Sequence, residues 1–487
     1  MKVCLITPPS DFLLDQRVFV SLGILKVGAS LRAAGVEVDH LDLTGVSNYL
    51  DVVRDYKDEA IFGITATTPQ MPAAVKIARE LNGFTILGGP HVTLVNAAAK
   101  RSNVRAIEAF ANLVEEFDSL VCGDGEQAIF EALEGKPIVD ADDPKSELWQ
   151  TSEKFTQSPW PDRELVDLDS YHYFIDGERA THLLTQLGCP MSCNFCSGRN
   201  SPMLRRMRVR PPESVVAEII YLHERYGYKG FNLFDDEVNI NKLMPNLMRA
   251  LRDESDKRGI AWCLRGFIKA ELFTEEQADV MYKAGFRWIL IGFESGSDRI
   301  LVNIHKNASR EDNTRAMQIA HQHGLKVKAL MSVGHPGESE QTIRDTFDWL
   351  LDTKPDDLDV SVITPYPGSP YWDDAIEIAS GTWRYTTAKS GDVLYMESVD
   401  FSEVSDFYKG ISGDYVSHVW TDYISKEELC RLRDWCECES KEKLGISMPP
   451  SAAASMYDHS TGMTPSILRK GATNARQTRS GGATILG

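Results

Sequence analysis

Short apolar runs alternate with amphipathic stretches along most of this 487-residue chain, in two separate blocks. In the first, up to about residue 135, strand candidates are Val3–Thr7, Val36–Leu41, Ala60–Thr65, Phe84–Leu87 and Ser119–Cys122. Helical patterns such as Leu22–Ala34 and Pro72–Leu81 separate them. Strands apolar on both faces need cover on both faces, and helices between successive strands supply it in a parallel sheet. The first block therefore predicts an α/β, flavodoxin-like sheet whose ligands sit at the carboxyl ends of the strands.

The second block has strand candidates at Thr181–Leu187, Gly230–Asp235, Ile260–Gly266, Trp288–Ile291, Lys326–Val333 and Leu358–Thr364. Helices are expected at Pro212–Tyr226, Lys242–Arg258, Glu275–Ala284, Arg310–His323 and Ser339–Leu351. Six β/α units fit a partial barrel or an open sheet, and periodicity does not choose between them. Residues 136–180 carry Pro137, Pro144, Pro159 and Pro161 and read as an ordered linker, because Trp149, Phe155, Trp160, Tyr171 and Tyr173 need packing partners. Residues 376–447 are mixed and aromatic, and 448–487 have the composition of a disordered tail. The formal net charge of −19 argues against nucleic acid as a partner, and no apolar run is long enough to span a membrane. Met1–Pro9 reads as a buried strand and a proline break, not an export signal. The nine cysteines are accordingly expected as reduced thiols or metal ligands in the cytoplasm.

Three of those cysteines stand in Gly188-Cys189-Pro190-Met191-Ser192-Cys193-Asn194-Phe195-Cys196, directly after the first strand of the second block. Thiolates this close on a turn can converge on one metal centre. Three ligands on a four-iron cluster leave one iron open to an outside chelate. A structural zinc would need a fourth ligand, with His172 or His182 nearest in sequence. Cys430, Cys436 and Cys438 fall on a charged helical pattern that spreads them around its axis, and read as incidental.

The cysteine motif and its surroundings resemble the radical S-adenosylmethionine (SAM) superfamily. Arg208-Val209-Arg210-Pro211-Pro212-Glu213 matches the lead-in to the first helix. Phe234-Asp235-Asp236-Glu237, Ile291-Gly292-Phe293-Glu294-Ser295-Gly296, Gly334-His335-Pro336-Gly337-Glu338 and Pro365-Tyr366-Pro367-Gly368-Ser369-Pro370 each follow a predicted strand, where β/α folds place their active sites. Together they resemble the branch with an N-terminal cobalamin-binding domain, over roughly residues 1–375. The resemblance implies a radical SAM partial (β/α)6 barrel over 181–375, with a cobalamin-binding-like domain over 1–135. It implies that Cys189, Cys193 and Cys196 hold a [4Fe–4S] cluster whose open iron chelates SAM, and that reduction yields a 5′-deoxyadenosyl radical. Phe195 is expected near the adenine. Asp235, Asp236 and Glu237, where many relatives have Gly-Gly-Glu, are expected to supply the contact to the SAM ammonium. Glu294 and Ser295 should face the ribose, unless Glu294 is instead tied to Arg265 in an ion pair. Gly334 and Pro336 should shape the backbone around the adenine.

For the first block the resemblance places cobalamin against Gly88 and Gly89, Gly123 and Glu126, and the loop of Thr67, Thr68 and Gln70, which would approach the lower cobalt face. An Asp-x-His-x-x-Gly motif is absent, and His91 follows the wrong strand for a lower ligand. The alternative is a domain that has become a scaffold only. The implied activity is methyl transfer to a carbon or phosphinate centre, with cobalamin-assisted cyclisation or rearrangement, or cobalamin-free radical chemistry, as alternatives; a non-enzymatic metal-binding regulator is the rival from another class. An electron donor such as flavodoxin or ferredoxin is the implied partner. The substrate, whether small molecule or peptide, is not written in the sequence. The aromatic stretches Phe407-Tyr408-Lys409 and Tyr415–Tyr423 are expected to cap the barrel mouth or to pack the C-terminal region.

Overall fold

The computed structural model describes residues 1–10, 13, 15–56, 60–405 and 415–447. Phe407-Tyr408-Lys409 and the expected tail at 448–487 lie outside the described residues. The first sheet contains β1 (Lys2–Thr7), β2 (Glu37–Asp42), β3 (Ile61–Thr65), β4 (Thr85–Gly88), β5 (Ser119–Cys122) and β6 (Ile138–Asp140). All six are parallel, in the order β2-β1-β3-β4-β5-β6. The chain leaves β1 toward β2 and then crosses to β3, so the strand order reverses at the β1/β3 ends and opens a crevice there. The sixth strand falls inside the segment expected to be linker. It pairs with β5 through Leu120–Cys122, so the sheet extends past the boundary placed at residue 135.

The second sheet contains β7 (Phe174–Ile175), β8 (Glu178–Leu183), β11 (Gly230–Leu233), β12 (Cys263–Ile268), β13 (Phe286–Glu294), β14 (Lys326–Val333) and β15 (Asp357–Val362). Its order is β15-β14-β13-β12-β11-β8-β7, and every pair except β7·β8 is parallel. A short antiparallel ladder of β9 (Gln186–Leu187) and β10 (Arg208–Val209) ties the segment before the cysteine loop to the one after it. The sequential order gives a curled half-barrel of six β/α units that does not close, with β15 and β7 at its two edges. The helices Pro212–Tyr226 and Glu275–Ala284 start and end where the pattern puts them. The second begins on a capping box, in which the Thr274 hydroxyl accepts from the Gln277 N–H and the Gln277 side chain accepts from the Thr274 N–H.

Residues 141–173 lie between the two sheets and are held by burial. Phe155, Leu165, Tyr171 and Tyr173 are all below a tenth exposed, each contributing about 1.5–3 kcal/mol of transfer free energy. Arg17 and Asp42 form a buried ion pair at 3.3 Å, and the Tyr171 hydroxyl donates to the same carboxylate at 2.7 Å. The C-terminal region, expected to be mixed, is a four-stranded antiparallel sheet, β16 (Ile376–Ala379), β17 (Thr382–Thr386), β18 (Val393–Glu397) and β19 (Val419–Trp420), followed by the helix Lys426–Leu444. That helix packs on β15 and on the helix Glu340–Thr353: Arg433 donates to the Val360 carbonyl and pairs with Glu437 at 3.0 Å, and Trp435 lies on Phe347. Cys436 is buried within it, while Cys430 and Cys438 are partly exposed.

Candidate active site

The cysteine loop is shaped by its backbone before any ligand is considered. Gly188 has φ +86°, and a side chain there would collide with the Arg206 carbonyl, so the turn into Cys189 requires glycine. The Cys189 N–H donates to the Leu204 carbonyl, and the Asn194 N–H donates to the Ile304 carbonyl. The Arg205 guanidinium donates to the Met191 and Pro190 carbonyls, each at 2.7 Å, and His305 Nδ1 lies 3.1 Å from the Ser192 carbonyl. Two outside elements thus fix a loop that has few internal hydrogen bonds. Cys189 and Cys193 are half-buried and Cys196 is exposed. Burial raises the Cys193 thiol above its ordinary range, against the pull of the nearby Lys306 and Lys269 ammonium groups.

Among the described residues no three His, Cys, Asp or Glu side chains converge as ligands of a single metal ion. A tetrahedral zinc requires that convergence, whereas a cubic cluster presents a separate iron to each thiolate. His182, one candidate for a fourth zinc ligand, has its Nε2 2.5 Å from the Val20 carbonyl and is packed against Phe19 and Phe234.

At the end of β11 three acidic residues have three different environments. Asp235 is buried, and its carboxylate accepts from the Thr185 and Gln186 N–H groups at 2.7 and 3.0 Å and from the Thr185 hydroxyl. It latches β8 to β11 and has little capacity left for a ligand. Asp236 is exposed and faces the cavity described below. Glu237 has a buried Oε2 with no hydrogen-bond partner among the described residues, and burial pushes its carboxyl up to about 7 against the pull of Lys306 and Lys269. A buried carboxylate oxygen without a donor is costly, and an ammonium is the natural group to satisfy it.

Glu294 ends β13 at a break in register, with φ +66°. The expected ion pair with Arg265 does not form. Glu294 Oε1 pairs with Lys306 at 3.0 Å, and Oε2 accepts from the Ser332 hydroxyl at 2.7 Å. Ser332 in turn lies 2.8 Å from His335 Nε2, and His335 Nδ1 lies 3.3 Å from the Tyr371 hydroxyl. Burial would raise Glu294, but Lys306 and Ser332 bring it below its usual range. The Ser295 hydroxyl is buried, shared with Thr346 and accepting from the Ser297 N–H, so it caps its own turn. Phe195 packs on the Ile300–Ile304 cluster with its ring 5.4 Å from His335. Gly334 is crowded by Leu429, Val419 and Ile363, and the Pro336 carbonyl accepts from Asn303. Sequence reasoning missed Lys306, Lys269 and Ser332. They belong to no motif, and only the meeting of three strand ends brings them to this point.

A cavity of about 610 Å³ fills the crevice at the β1/β3 ends and reaches the second sheet. Thr67, Gln70, Gly88, Gly89 and Gly123 line one side; Phe19, His182, Leu187, Phe234 and Asp236 line the other. Gly123 has φ +105°, and an added Cβ would sit 2.7 Å from the Ala141 carbonyl carbon and the Asp142 nitrogen. Gln70 is held rigidly. Its amide donates to the Pro8 carbonyl and the Ser10 hydroxyl and accepts from Thr67, which makes the loop pre-organised. Thr68 and Glu126 do not line the cavity. Thr68 bonds His91 at 3.1 Å, and Glu126 is buried against Lys26 at 3.2 Å and Gln150.

Residues 183–350 match the sequence family described as the Radical SAM superfamily. An uncharacterized methyltransferase of Pyrococcus horikoshii is 28% identical over 420 residues, covering 80% of this chain and 86% of that protein. The anaerobic magnesium-protoporphyrin IX monomethyl ester cyclase of Rubrivivax gelatinosus is 26% identical over 63% of this chain, which spans only 57% of the cyclase. Among solved structures, the radical SAM methyltransferase TsrM of Kitasatospora setae, with cobalamin and a [4Fe–4S] cluster bound, superposes with TM-score 0.62 at 17% identity. That match covers 94% of this chain and 92% of TsrM. The cobalamin-dependent radical SAM enzyme OxsB superposes with TM-score 0.53 at 16% identity, covering 73% of this chain and 52% of OxsB. The cysteine loop at the mouth of a six-unit half-barrel, the acidic strand ends around it and the matching family over the same residues establish that this chain carries a radical SAM domain.

Proposed function

We propose that this protein is a cobalamin-dependent radical SAM enzyme that transfers a methyl group to an unactivated carbon or phosphinate centre. The observation that carries the reading is the single cavity that joins the first sheet's glycine-lined strand ends to Asp236 beside the cysteine loop. A flat ligand on the first sheet would there face the same space as a ligand at the barrel mouth. The methyltransferase names of the Pyrococcus relative and of TsrM support the reaction class. No helix among the described residues is long and apolar enough to cross a membrane.

In this reading Cys189, Cys193 and Cys196 hold the [4Fe–4S] cluster, and bound SAM and cluster supply reductive cleavage of a sulfonium carbon–sulfur bond. Glu237 accepts an N–H of the SAM amino group, which satisfies its unpartnered oxygen, and Asp235 acts only by holding the strand end in place. Glu294, fixed by Lys306 and Ser332, presents an ionised carboxylate toward the ribose. Phe19 and Phe234 exclude water from the side of the cavity nearest the radical chemistry. Gly88, Gly89, Gly123, Thr67 and Gln70 would hold the cobalamin, which when bound would supply the methyl group. These groups are neutral, and the loop offers no imidazole.

The test is product analysis of anaerobically reconstituted, cobalamin-loaded enzyme with extracts of its own producer as substrate source. Methyl transfer predicts S-adenosylhomocysteine and 5′-deoxyadenosine in equal amounts; a full cluster that yields neither sinks the reading. The cyclase relative motivates a second outcome, 5′-deoxyadenosine without S-adenosylhomocysteine, which would assign cyclisation or rearrangement instead.

A further inference from the structure

We propose that the basic surface on the outer side of the cysteine loop is the docking site of an acidic one-electron carrier protein, a flavin or iron–sulfur protein that reduces the cluster. The inference rests on the radical SAM reading, since only a cluster in this loop needs an electron there. Arg199 and Arg205, together with Arg101, line an open polar cavity of about 420 Å³ beside Asn194, within the loop itself. Arg206 is exposed next to them. The chain as a whole carries 71 acidic against 52 basic residues, and many of its other surface arginines, such as Arg54, Arg79 and Arg258, are paired with carboxylates. In this patch the pattern fails. Among the described residues Arg199 has a buried Nε with no partner and no ion pair, Arg206 has no ion pair, and Arg205 bonds backbone carbonyls only. Two carboxylates flank it, Asp373 and Asp374, at 3.9 and 3.7 Å from Arg101, which leaves the Arg199–Arg206 end uncompensated.

The location fits an electron entry point. Cys196 opens the turn Ser197–Asn200 that carries Arg199. Phe195, one residue earlier, faces the opposite way, into the core beside His335. The substrate side and the docking side of the loop are therefore separate, and the carrier need not enter the barrel. In the step itself one electron leaves the reduced carrier and enters the oxidised cluster; no bond forms or breaks. Opposite net charge at a patch of this kind raises the encounter rate and makes it salt-dependent.

The experiment uses the anaerobic holoenzyme with fully reduced flavodoxin as probe, following cluster bleaching by stopped flow and complex formation by calorimetry. Arg199→Glu and Arg206→Glu should each lower the second-order reduction rate about tenfold at low salt, weaken binding in parallel and flatten the salt dependence, with Arg199→Lys restoring most of the rate. Reduction by titanium(III) citrate should be unchanged in every variant. Equal flavodoxin rates and salt slopes for wild type and both charge reversals would overturn the assignment. A protein that shows no cluster absorbance to bleach would instead overturn the radical SAM reading beneath it.

Discussion

Removing the Lys306 ammonium tests whether the network at the end of β13 is as tightly balanced as its geometry implies. Lys306 and Glu294 have side chains 5% and 13% exposed, 3.0 Å apart. Breaking such a pair from one side strands the other charge and costs about 3–5 kcal/mol. For a cooperative unit of roughly 200 residues each kcal/mol moves the midpoint by about 2–4 °C, so Lys306→Met should lower the thermal midpoint of the barrel by about 6–20 °C. The double variant Lys306→Met/Glu294→Gln should recover most of that, because no unpaired charge remains. The coupling in the cycle should reach about 2 kcal/mol. pH supplies an independent check. In the wild type Glu294 lies below its usual value of 4.5, so the stability from the pair is present above that value and lost as pH falls through the depressed one. Without Lys306 burial dominates and the carboxyl shifts up. The gap between single variant and wild type should therefore narrow on acidification. Calorimetric melts of the metal-free protein from pH 8 to 5 make the comparison; a Lys306→Met loss below about 1 kcal/mol, or one that removing Glu294 leaves unrelieved, would refute the reasoning.

Cys193→Ala should abolish the visible absorbance of the reconstituted protein, and full iron in that variant would disprove the ligand assignment. Glu237→Gln should weaken SAM binding about tenfold or more, the scale of one charge-assisted hydrogen bond, by calorimetry; unchanged affinity would shift the amino-group contact to Asp236. Because burial pushes the Glu237 carboxyl up to about 7 and its ionised form is the better acceptor for the amino N–H, SAM affinity should rise more steeply with pH between 6 and 8 in the wild type than in the variant. Gly123→Val, with its side chain forced onto Ala141 and Asp142, should reduce bound cobalamin at least tenfold by absorbance, and undiminished loading would remove that strand end from the site. His91 is buried and lowered from 6.5 to about 4, so the unfolded chain binds more protons between those values and stability should fall by up to about 3 kcal/mol as pH drops through them. His91→Gln should flatten that slope in urea melts.

Much of this could be read from the sequence because β/α alternation writes itself locally. The predicted helices at Pro212–Tyr226 and Glu275–Ala284 match to the residue, since apolar spacing, capping boxes and terminal glycines act within one segment. The cysteine loop was equally legible, its three cysteines lying within eight residues. What stayed hidden was long-range. The short strand Ile138–Asp140 has too few residues for a period, and only its pairing with β5 defines it. Asp235 reads the same as Asp236 in sequence. Thr185 and Gln186, fifty and forty-nine residues earlier, are what consume its carboxylate. Glu294 similarly took its partner from Lys306, on a turn that no spacing rule connects to it, rather than from Arg265 on the neighbouring strand. Thr68 and Glu126 sit in strand-end motifs yet bond inward to His91 and Lys26.

The most direct measurement is electron paramagnetic resonance of the anaerobically reconstituted, reduced protein before and after addition of SAM. The account predicts about four irons per chain, an S = 1/2 signal, and a change in that signal on SAM binding, because the iron left without a protein ligand takes up the amino and carboxylate groups. A full complement of iron whose spectrum SAM leaves untouched, or a chain that holds zinc in place of iron, would contradict it.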